Sequence, residues 1–512
     1  MPATPHPALP ITTANIPNAA AAAAAAAGSA AADSPAAAAL FHRQARTLTY
    51  ADLEGRELAD FTSPQERAQL VDLAGPWPVR WLFAPKDGDP ERAVNLFAGC
   101  GGWCVGLRKI LRSDIDMVCI DKSRPAMATS AASGCVAVCA DITALDPAHP
   151  ALRWTRILLA SPPCTDWTPA GKRLGHRPQN LAILEAAVQQ AAAAAGNHLL
   201  ECGHAEPDAC GRDCAGRGGR PSRETWDQVR AFTAPMTTKT AQLMLEPIIW
   251  ALALWRMGAP LHTMAMEQSG ALPGQVRDWF VQQLTSAGWE HVAWEDLDAA
   301  DYGSPSHRRR AFLLASRDRR LDHCPPLHPT SPLVTHAAAA LGMDPDTVII
   351  TRGNRTTSGG NGFRLGRVVP GITSKIRGWY RQGDPDFRFT LEQVALLVAL
   401  PADHPFAGSR TAACQQAADI VAPVVSAAVM GCLLGLPWPH ALNRYLADLY
   451  PAVHGTHPAT SNGRRARVMY ASYGVPLHGL PGRSGSSRAR IRRVRAGRRA
   501  RAQARMRVRL RR

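Results

Sequence analysis

The chain is poor in several features that would fix its class at once. Its twelve cysteines are few and scattered among 512 residues, which excludes a secreted disulfide framework and fits a reducing, cytosolic setting. No apolar stretch approaches the ~20 residues that a membrane span needs. The start, MPATPHPALPITT, lacks the basic region of a secretory leader. The glycine spacing of the dinucleotide fingerprint is missing, as are a paired C-x2-C knuckle and an evident nuclease motif. Acid is missing from the end of the chain. Beyond Asp448 there are seventeen arginines and no Asp or Glu, so this tail accounts for the whole net charge of +17. The body up to residue 449 is close to neutral.

What is present is an alternation of short apolar runs and helical patterns. Residues 1–40 are Ala-rich, with a run from Ala19 to Ala27 that has no polar face, and read as a disordered tail. A mixed lead-in covers 41–92, where PWPVRWLF reads as a short strand. Strands are expected at 93–97, 115–120, 136–139 and 156–160, with helices at 103–111 and 125–133 between them. This cadence predicts a parallel sheet covered on both faces. A helical stretch over 178–260 is broken by a polar insert at about 201–224. Then come a strand at 262–266, a helix at 273–287 and a late strand pair at 289–296 and 310–315. Residues 317–372 are rich in Pro, His, Thr and Gly and read as a small second domain. Helices at 391–400 and 420–434 close the fold, which places the folded catalytic part at 93–316 and 373–440 and the basic tail at 441–512.

Chemistry-bearing residues fall where strands end. The glycine turn NLFAGCGG, with Gly99, Gly101 and Gly102, closes the first strand and opens a helix whose amino end suits a charged cofactor group. Asp121 ends the second strand, where a carboxylate commonly accepts hydrogen bonds from a ribose. Asp141 ends the third and suits an adenine amino group. For either carboxylate alone, an ordinary cap is the simpler reading. Cys164 follows Pro162 and Pro163, which stop the fourth strand and stiffen the turn. Glu267 ends a fifth. Ligands of open sheets bind at this edge, and five aligned features are hard to produce by accident. A thiol with a nearby carboxylic acid suits addition to an electron-poor ring, the acid assisting at a ring nitrogen. Arg308 and Arg310 alternate on a strand, share a face, and suit a ring carbonyl or a phosphate.

Over roughly 93–435 the chain resembles the DNA (cytosine-5) methyltransferases, as a divergent prokaryotic or phage-type member. The resemblance implies an α/β, Rossmann-like S-adenosylmethionine-dependent methyltransferase sheet with a small target-recognition domain at 317–372. It implies a cofactor site for S-adenosyl-L-methionine built from Phe97, Ala98, Gly99, Gly101, Gly102, Asp121, Lys122, Asp141, Ile142 and Pro162. Cys164 matches the nucleophile of the proline-proline-cysteine motif and Glu267 the catalytic glutamate. Arg308 and Arg310 match the paired arginines near the base, with Arg310 nearer its ring carbonyl. FTLEQVALLVALPADHPFAGS matches the late motif that packs the target-recognition domain. The implied reaction flips cytosine out of duplex DNA, adds Cys164 to carbon 6 and methylates carbon 5.

The chain departs from the family pattern at the supports. Asn95 stands for an aspartate, Thr165 follows the nucleophile, and Gln268-Ser269 stand for Asn-Val, which implies looser positioning of Cys164. Ser306 replaces a glutamine, and AADIVAP at 417–423 replaces Gly-Asn-Ala-Val-Pro-Pro, with Asp419 at the asparagine position. These changes keep two other readings open: a DNA-binding homologue with impaired catalysis, and an RNA cytosine-5 methyltransferase. Cys202, His204, Cys210 and Cys214 in the insert are close enough in sequence to ligate zinc, but without a paired knuckle they read as free, and no metal is expected. Arg352, Arg355 and Lys375 are candidates for DNA contact. The basic tail suits the DNA backbone, and an Arg/Ala-biased extension without a role is an equal reading. The expected setting is a monomer on double-stranded DNA, cytoplasmic and nucleoid-associated, in a bacterium or phage-infected host. It is either partnered by a restriction nuclease or solitary.

Overall fold

The computed structural model describes residues 47–169, 171–196, 222–319, 321, 335–351 and 362–454. The polar insert, the Arg352 and Arg355 loop, the Ala-rich start and the arginine tail lie outside the described residues. The chain divides into two compact units, Met1–Leu73 and Ala74–Arg512. In the first, single helical turns lie at Tyr50–Leu53 and Leu58–Asp60, and Leu53 and the following Phe61 are buried. The site lies entirely in the second.

The second unit is built on a seven-stranded sheet: β1 (Glu91–Leu96), β2 (Ile115–Asp121), β3 (Val136–Cys139), β4 (Thr155–Ala160), β5 (Thr263–Ser269), β6 (His291–Asp298) and β7 (Arg309–Ser316). The order across the sheet is β3-β2-β1-β4-β5-β7-β6. β1 to β5 run parallel, while β7 lies antiparallel between β5 and β6. The sheet is therefore mixed rather than parallel throughout. The late strand pair causes this, because a short connection lets β7 return beside β6 without a crossover helix. PWPVRWLF forms a single 3-10 turn, Val79–Leu82, instead of a strand. Its Trp81 is buried and donates its indole N–H to Asp116 at 2.7 Å.

Helices α1 (Gly102–Cys104, continuing in π-helical turns over Val105–Ile110) and α2 (Arg124–Ala132) follow β1 and β2. Further along come α3 (Pro178–Ala194), α4 (Arg223–Ala231), α5 (Lys239–Gln242), α6 (Glu246–Met257) and α7 (Gly274–Ser286). α6 lies on β4, α7 on β6, and α3 packs on both helices. All seven residues of β5 are buried, as expected of a central strand covered on both faces.

The chain closes with α8 (Leu391–Leu397), α9 (Arg410–Asp419), α10 (Pro423–Leu434) and α11 (Trp438–Leu449). Arg410–Leu434 is the one described stretch long and apolar enough to cross a membrane. It is broken between α9 and α10, and 78% of its most apolar window is buried. α10 packs on α1, and Gly102 and Gly106 make that approach possible. A Cβ at Gly102 would strike the Val421 carbonyl, and one at Gly106 the Ser426 hydroxyl. Leu442, Leu446 and Tyr450 join the same core. The folded part thus runs past 440, because the amphipathic α11 needs a surface for its apolar stripe. A second sheet of three short strands, β8 (Val348–Ile350), β9 (Gly362–Arg364) and β10 (Tyr380–Arg381), shares a core with α8 and α9.

Candidate active site

The carboxyl ends of the parallel strands collect the predicted residues. At β1 the chain turns sharply: Phe97, Gly99 and Gly101 all have positive φ, at 56°, 53° and 90°. Phe97 is not a glycine, and a left-handed bulky residue is strained backbone of the kind held at functional sites. Ala98 N–H donates to the Ile120 carbonyl at 2.9 Å, tying the turn to β2. Asp121 fastens it further, with one carboxylate oxygen accepting from Gly99 N–H at 3.1 Å and the other from Ser123 N–H at 2.8 Å. Asp141 takes the N–H and hydroxyl of Thr143 at 3.0 and 2.9 Å, both on Oδ1. Lys122 is exposed beside Asp121, and Ile142 is buried beside Asp141.

The nucleophile loop begins at β4. Ser161 N–H donates to the Leu96 carbonyl at 3.1 Å, and the Ser161 hydroxyl accepts from the Trp103 indole at 2.9 Å. The glycine-turn helix and the cysteine loop are therefore linked directly. Pro162 is buried and Cys164 half-buried. The Cys164 carbonyl accepts from Trp167 N–H and Thr168 N–H, at 2.9 and 3.0 Å, which folds the loop back on itself.

Glu267, on β5, is buried, with both arginines beside it. Arg310 Nε is 3.0 Å and Arg308 Nη2 3.7 Å from its Oε1. Neither approach has hydrogen-bond alignment, and Oε1 takes no hydrogen bond. Oε1 therefore meets both guanidinium groups as an ion pair. Arg308 is anchored by Nη1 to the Ala418 carbonyl at 2.6 Å. Burial first, then repulsion from Arg310, lowers its pKa to about 10. Burial, then the Glu267 charge, pushes the Cys164 thiol up, while Arg310 and Arg308 pull it back. These groups therefore share one electrostatic environment. Burial likewise raises the carboxyl of Asp419, which faces the same arginines.

Two residues that depart from the family pattern make contacts of their own. Gln268 ties its strand to the Cys164 loop, its Nε2 donating to the Pro162 carbonyl at 3.1 Å. Ser306 is buried and donates to the Leu397 carbonyl at 2.6 Å. Lys375 lies exposed on a 3-10 turn, Ser374–Gly378.

Sequence reasoning missed a second anchor. Asp166, two residues past the nucleophile, is buried and accepts from the hydroxyls of Thr238 and Thr240. Asp166 also receives Gly175 N–H on its carbonyl at 3.1 Å. The signal was there in the polar Thr-Asp after Cys164 and in the TTKT stretch, but seventy residues separate them.

Residues 92–183 match the family profile described as C-5 cytosine-specific DNA methylase. That span holds the glycine turn, both strand-end aspartates and Cys164. No curated protein matches the chain significantly. Solved structures align at low similarity. One is a prophage-encoded DNA modification methyltransferase from E. coli, at 12% identity and TM-score 0.41, over 68% of this chain and 99% of that one. Another is the Dnmt2 methyltransferase of S. pombe, at 14% and 0.42, over 67% and 98%. A third is the Entamoeba histolytica methyltransferase EhMeth, at 11% and 0.38, over 70% and 98%. The family match rests on residues 92–183.

The site suits S-adenosyl-L-methionine. A Cβ at Gly99 would meet nothing within 4 Å, so the turn opens onto free space. Half-buried Phe97 offers an apolar face there, and Asp121 and Asp141 offer acceptors for hydroxyl and amine groups. Residues 92–183 are thus similar to the C-5 cytosine-specific DNA methylases, and this domain uses S-adenosyl-L-methionine.

Proposed function

We propose that this protein methylates carbon 5 of cytosine in a nucleic acid through a covalent Cys164 adduct, and that the nucleic acid is double-stranded DNA. The observation that carries the reading is the pairing of Cys164 with Glu267. Both stand at the same edge of the sheet, where the Glu267 charge acts on the Cys164 thiol and Arg310 and Arg308 face that charge. In the reaction, Cys164 sulfur adds to carbon 6 of a flipped cytosine. Glu267 supports the protonated ring nitrogen 3, which stores the electron pair displaced from the ring. Arg310 and Arg308 hold Glu267 and compensate its charge. Bound S-adenosylmethionine supplies the methyl group. Once that stored pair has formed the bond from carbon 5 to the methyl group, the carbon 5 proton leaves to a base, and the electron pair of the broken C5–H bond re-forms the ring double bond and expels the Cys164 thiolate.

The DNA part of the reading is supported by the description of the matched family. An RNA cytosine is the second reading, because residues 92–183 hold the cofactor and nucleophile elements and not the small sheet around β8–β10. The deciding experiment incubates the full chain with methyl-labelled S-adenosylmethionine and either mixed-sequence duplex DNA or RNA. Label in DNA that disappears with Cys164→Ala is the expected result. Label confined to RNA would replace DNA as substrate. No label in either, with DNA still bound, would leave a binding protein.

A further inference from the structure

Behind the glycine turn, away from the reacting groups, three thiols meet in the core. Cys104 comes from α1, Cys119 from the middle of β2, and Cys135 from the turn between α2 and β3. Their Sγ atoms lie within 4.8 Å of one another, and all three are buried. Cys104 and Cys119 are 3.0 Å apart at sulfur. That is closer than sulfur atoms pack by van der Waals contact alone. A fourth sulfur, Met117 Sδ, is 3.2 Å from Cys104.

One feature around the cluster is not explained by thiols filling a core, and a second bears on its charge. Asn95 is 0% exposed, its Nδ2 facing Cys119 Sγ at 3.7 Å and its Oδ1 without any hydrogen bond. A buried amide oxygen left unpaired is costly in an apolar core. The two ends of an amide are assigned by hydrogen bonding alone. In either orientation one end of Asn95 faces the sulfurs and the other lacks a partner. The second feature is charge. Arg108 donates to the carbonyl of Gly134, directly before Cys135, and so holds a guanidinium next to the cluster. Arg108 is exposed, and its charge at this edge of the cluster would offset that of thiolates.

We propose that Cys104, Cys119 and Cys135 form a buried site for one soft d10 metal ion, Zn(II) or Cu(I), bound through three thiolates. Thiolates bind such an ion at about 2.3 Å, which sets neighbouring sulfurs roughly 4 Å apart in tetrahedral or trigonal geometry. The observed cluster is within small side-chain movements of that spacing. Soft sulfur donors select Zn(II) and Cu(I) over hard cations. Met117 Sδ or an Asn95 amide oxygen is the nearest further donor. Binding releases three thiol protons, and Arg108 offsets the negative charge that remains. The ion would staple α1, β2 and β3 together beneath the cofactor turn, a structural role separate from methyl transfer.

The test uses the full chain, stripped of metal by chelator under reducing conditions and titrated separately with Co(II), as a spectroscopic stand-in for Zn(II), and with Cu(I) under anaerobic conditions. The expected result is uptake of one ion per chain, with thiolate-to-cobalt charge-transfer absorption in one arm or Cu(I) retention against a chelator in the other. The arm that binds more tightly identifies the ion. Cys119→Ser and Cys135→Ser should each abolish it. A triple Cys202→Ser, Cys210→Ser, Cys214→Ser variant should retain it, which separates this cluster from the insert thiols. Loss in the triple variant with retention in Cys135→Ser would overturn the proposal. Should the serine variants not fold, X-ray absorption of the loaded wild type decides, and fewer than three sulfur ligands would overturn it. No uptake of either ion by the wild type also overturns it.

Discussion

Gln268 donates its side-chain amide to the carbonyl oxygen of Pro162 at 3.1 Å, so the strand that carries Glu267 holds the loop that carries Cys164. Its own Oε1 accepts Ser269 N–H at 2.8 Å, and both groups are buried. Gln268→Ala leaves a buried carbonyl and a buried N–H unpaired, at a cost of about 1–3 kcal/mol each. The cost falls on the relative placement of nucleophile and acid. Turnover should fall about 10- to 100-fold while the affinity for S-adenosylmethionine stays unchanged. Turnover and cofactor binding measured on the same preparation check this, and a parallel loss of both would refute it.

On the proposed mechanism Cys164 reacts as a thiolate, and its surroundings hold the thiol above its ordinary range. Burial and Glu267 push up; Arg310 and Arg308 pull down; Asp419 adds a smaller push up. A raised pKa means less thiolate at neutral pH, so kcat/KM should climb with pH beyond the range of an ordinary cysteine. Arg310→Gln removes a cation and leaves Glu267 less compensated, so the inflection should move to still higher pH. A pH–rate profile of both proteins, with alkylation of the Cys164 peptide as a second readout, measures the shift. A downward shift in the variant would show that Arg310 does not act on Cys164 by charge.

Asp166 offers a separate handle on the same loop. Thr238→Val removes one of the two hydroxyl donors that hold its buried carboxylate, a hydrogen bond to a charged group worth about 1.5–3 kcal/mol. The expected outcome is roughly a 10-fold or greater drop in formation of the covalent adduct with a mechanism-based cytosine analogue. Thr238→Ser should restore it. If Thr238→Val loses no adduct rate, the clamp is only a packing feature.

Much of this site is readable from sequence because its parts sit at strand ends, and strand ends are marked by local signals. The apolar run at 157–160 followed by two prolines marks both β4 and the loop of Cys164. Asp121 likewise ends β2, and Asp141 caps the turn that follows β3. Pairing order is not local. Nothing within residues 289–316 says that β7 lies between β5 and β6, because that choice depends on which strand faces are left to cover. The roles of Gln268 and Ser306 were hidden for another reason. A changed residue type at a supporting position reads as a lost contact, whereas a side chain of different length can reach a different carbonyl, as Gln268 reaches Pro162 and Ser306 reaches Leu397. The same distance problem hides Asp166 from Thr238 and Cys104 from Cys135.

The contact between α1 and α10 rests on the missing side chain of Gly106. Ser426 Oγ fills that space and donates to the Gly102 carbonyl at 3.1 Å. Gly106→Ala drives a methyl into Ser426 and toward Ala427 N, a backbone atom that cannot swing away. Overpacking of this kind costs about 1–3 kcal/mol. Chemical denaturation should show a lower midpoint. A second change, Ser426→Ala, should recover part of the loss by clearing the hydroxyl. An unchanged midpoint in Gly106→Ala would mean the helices separate without cost.

His404 makes stability depend on pH through a buried imidazole. It is buried, both ring nitrogens lack hydrogen-bond partners, and its ring packs edge-on against Phe406 with centroids 4.8 Å apart. Burial first, then the charge of Lys109, lowers its pKa to about 4, with Asp403 and Cys135 opposing. In the unfolded chain the imidazole titrates near its ordinary value of ~6.5. Between about 6.5 and 4 the unfolded state binds a proton that the folded state refuses, so stability falls as pH falls and levels off below the folded value. The loss attributable to this ring is at most roughly 3 kcal/mol. His404→Phe keeps the aromatic packing and removes the proton site. Its stability should therefore fall less steeply between pH 6.5 and 4 than the wild type's. Parallel slopes for the two proteins would assign the acid sensitivity to other groups.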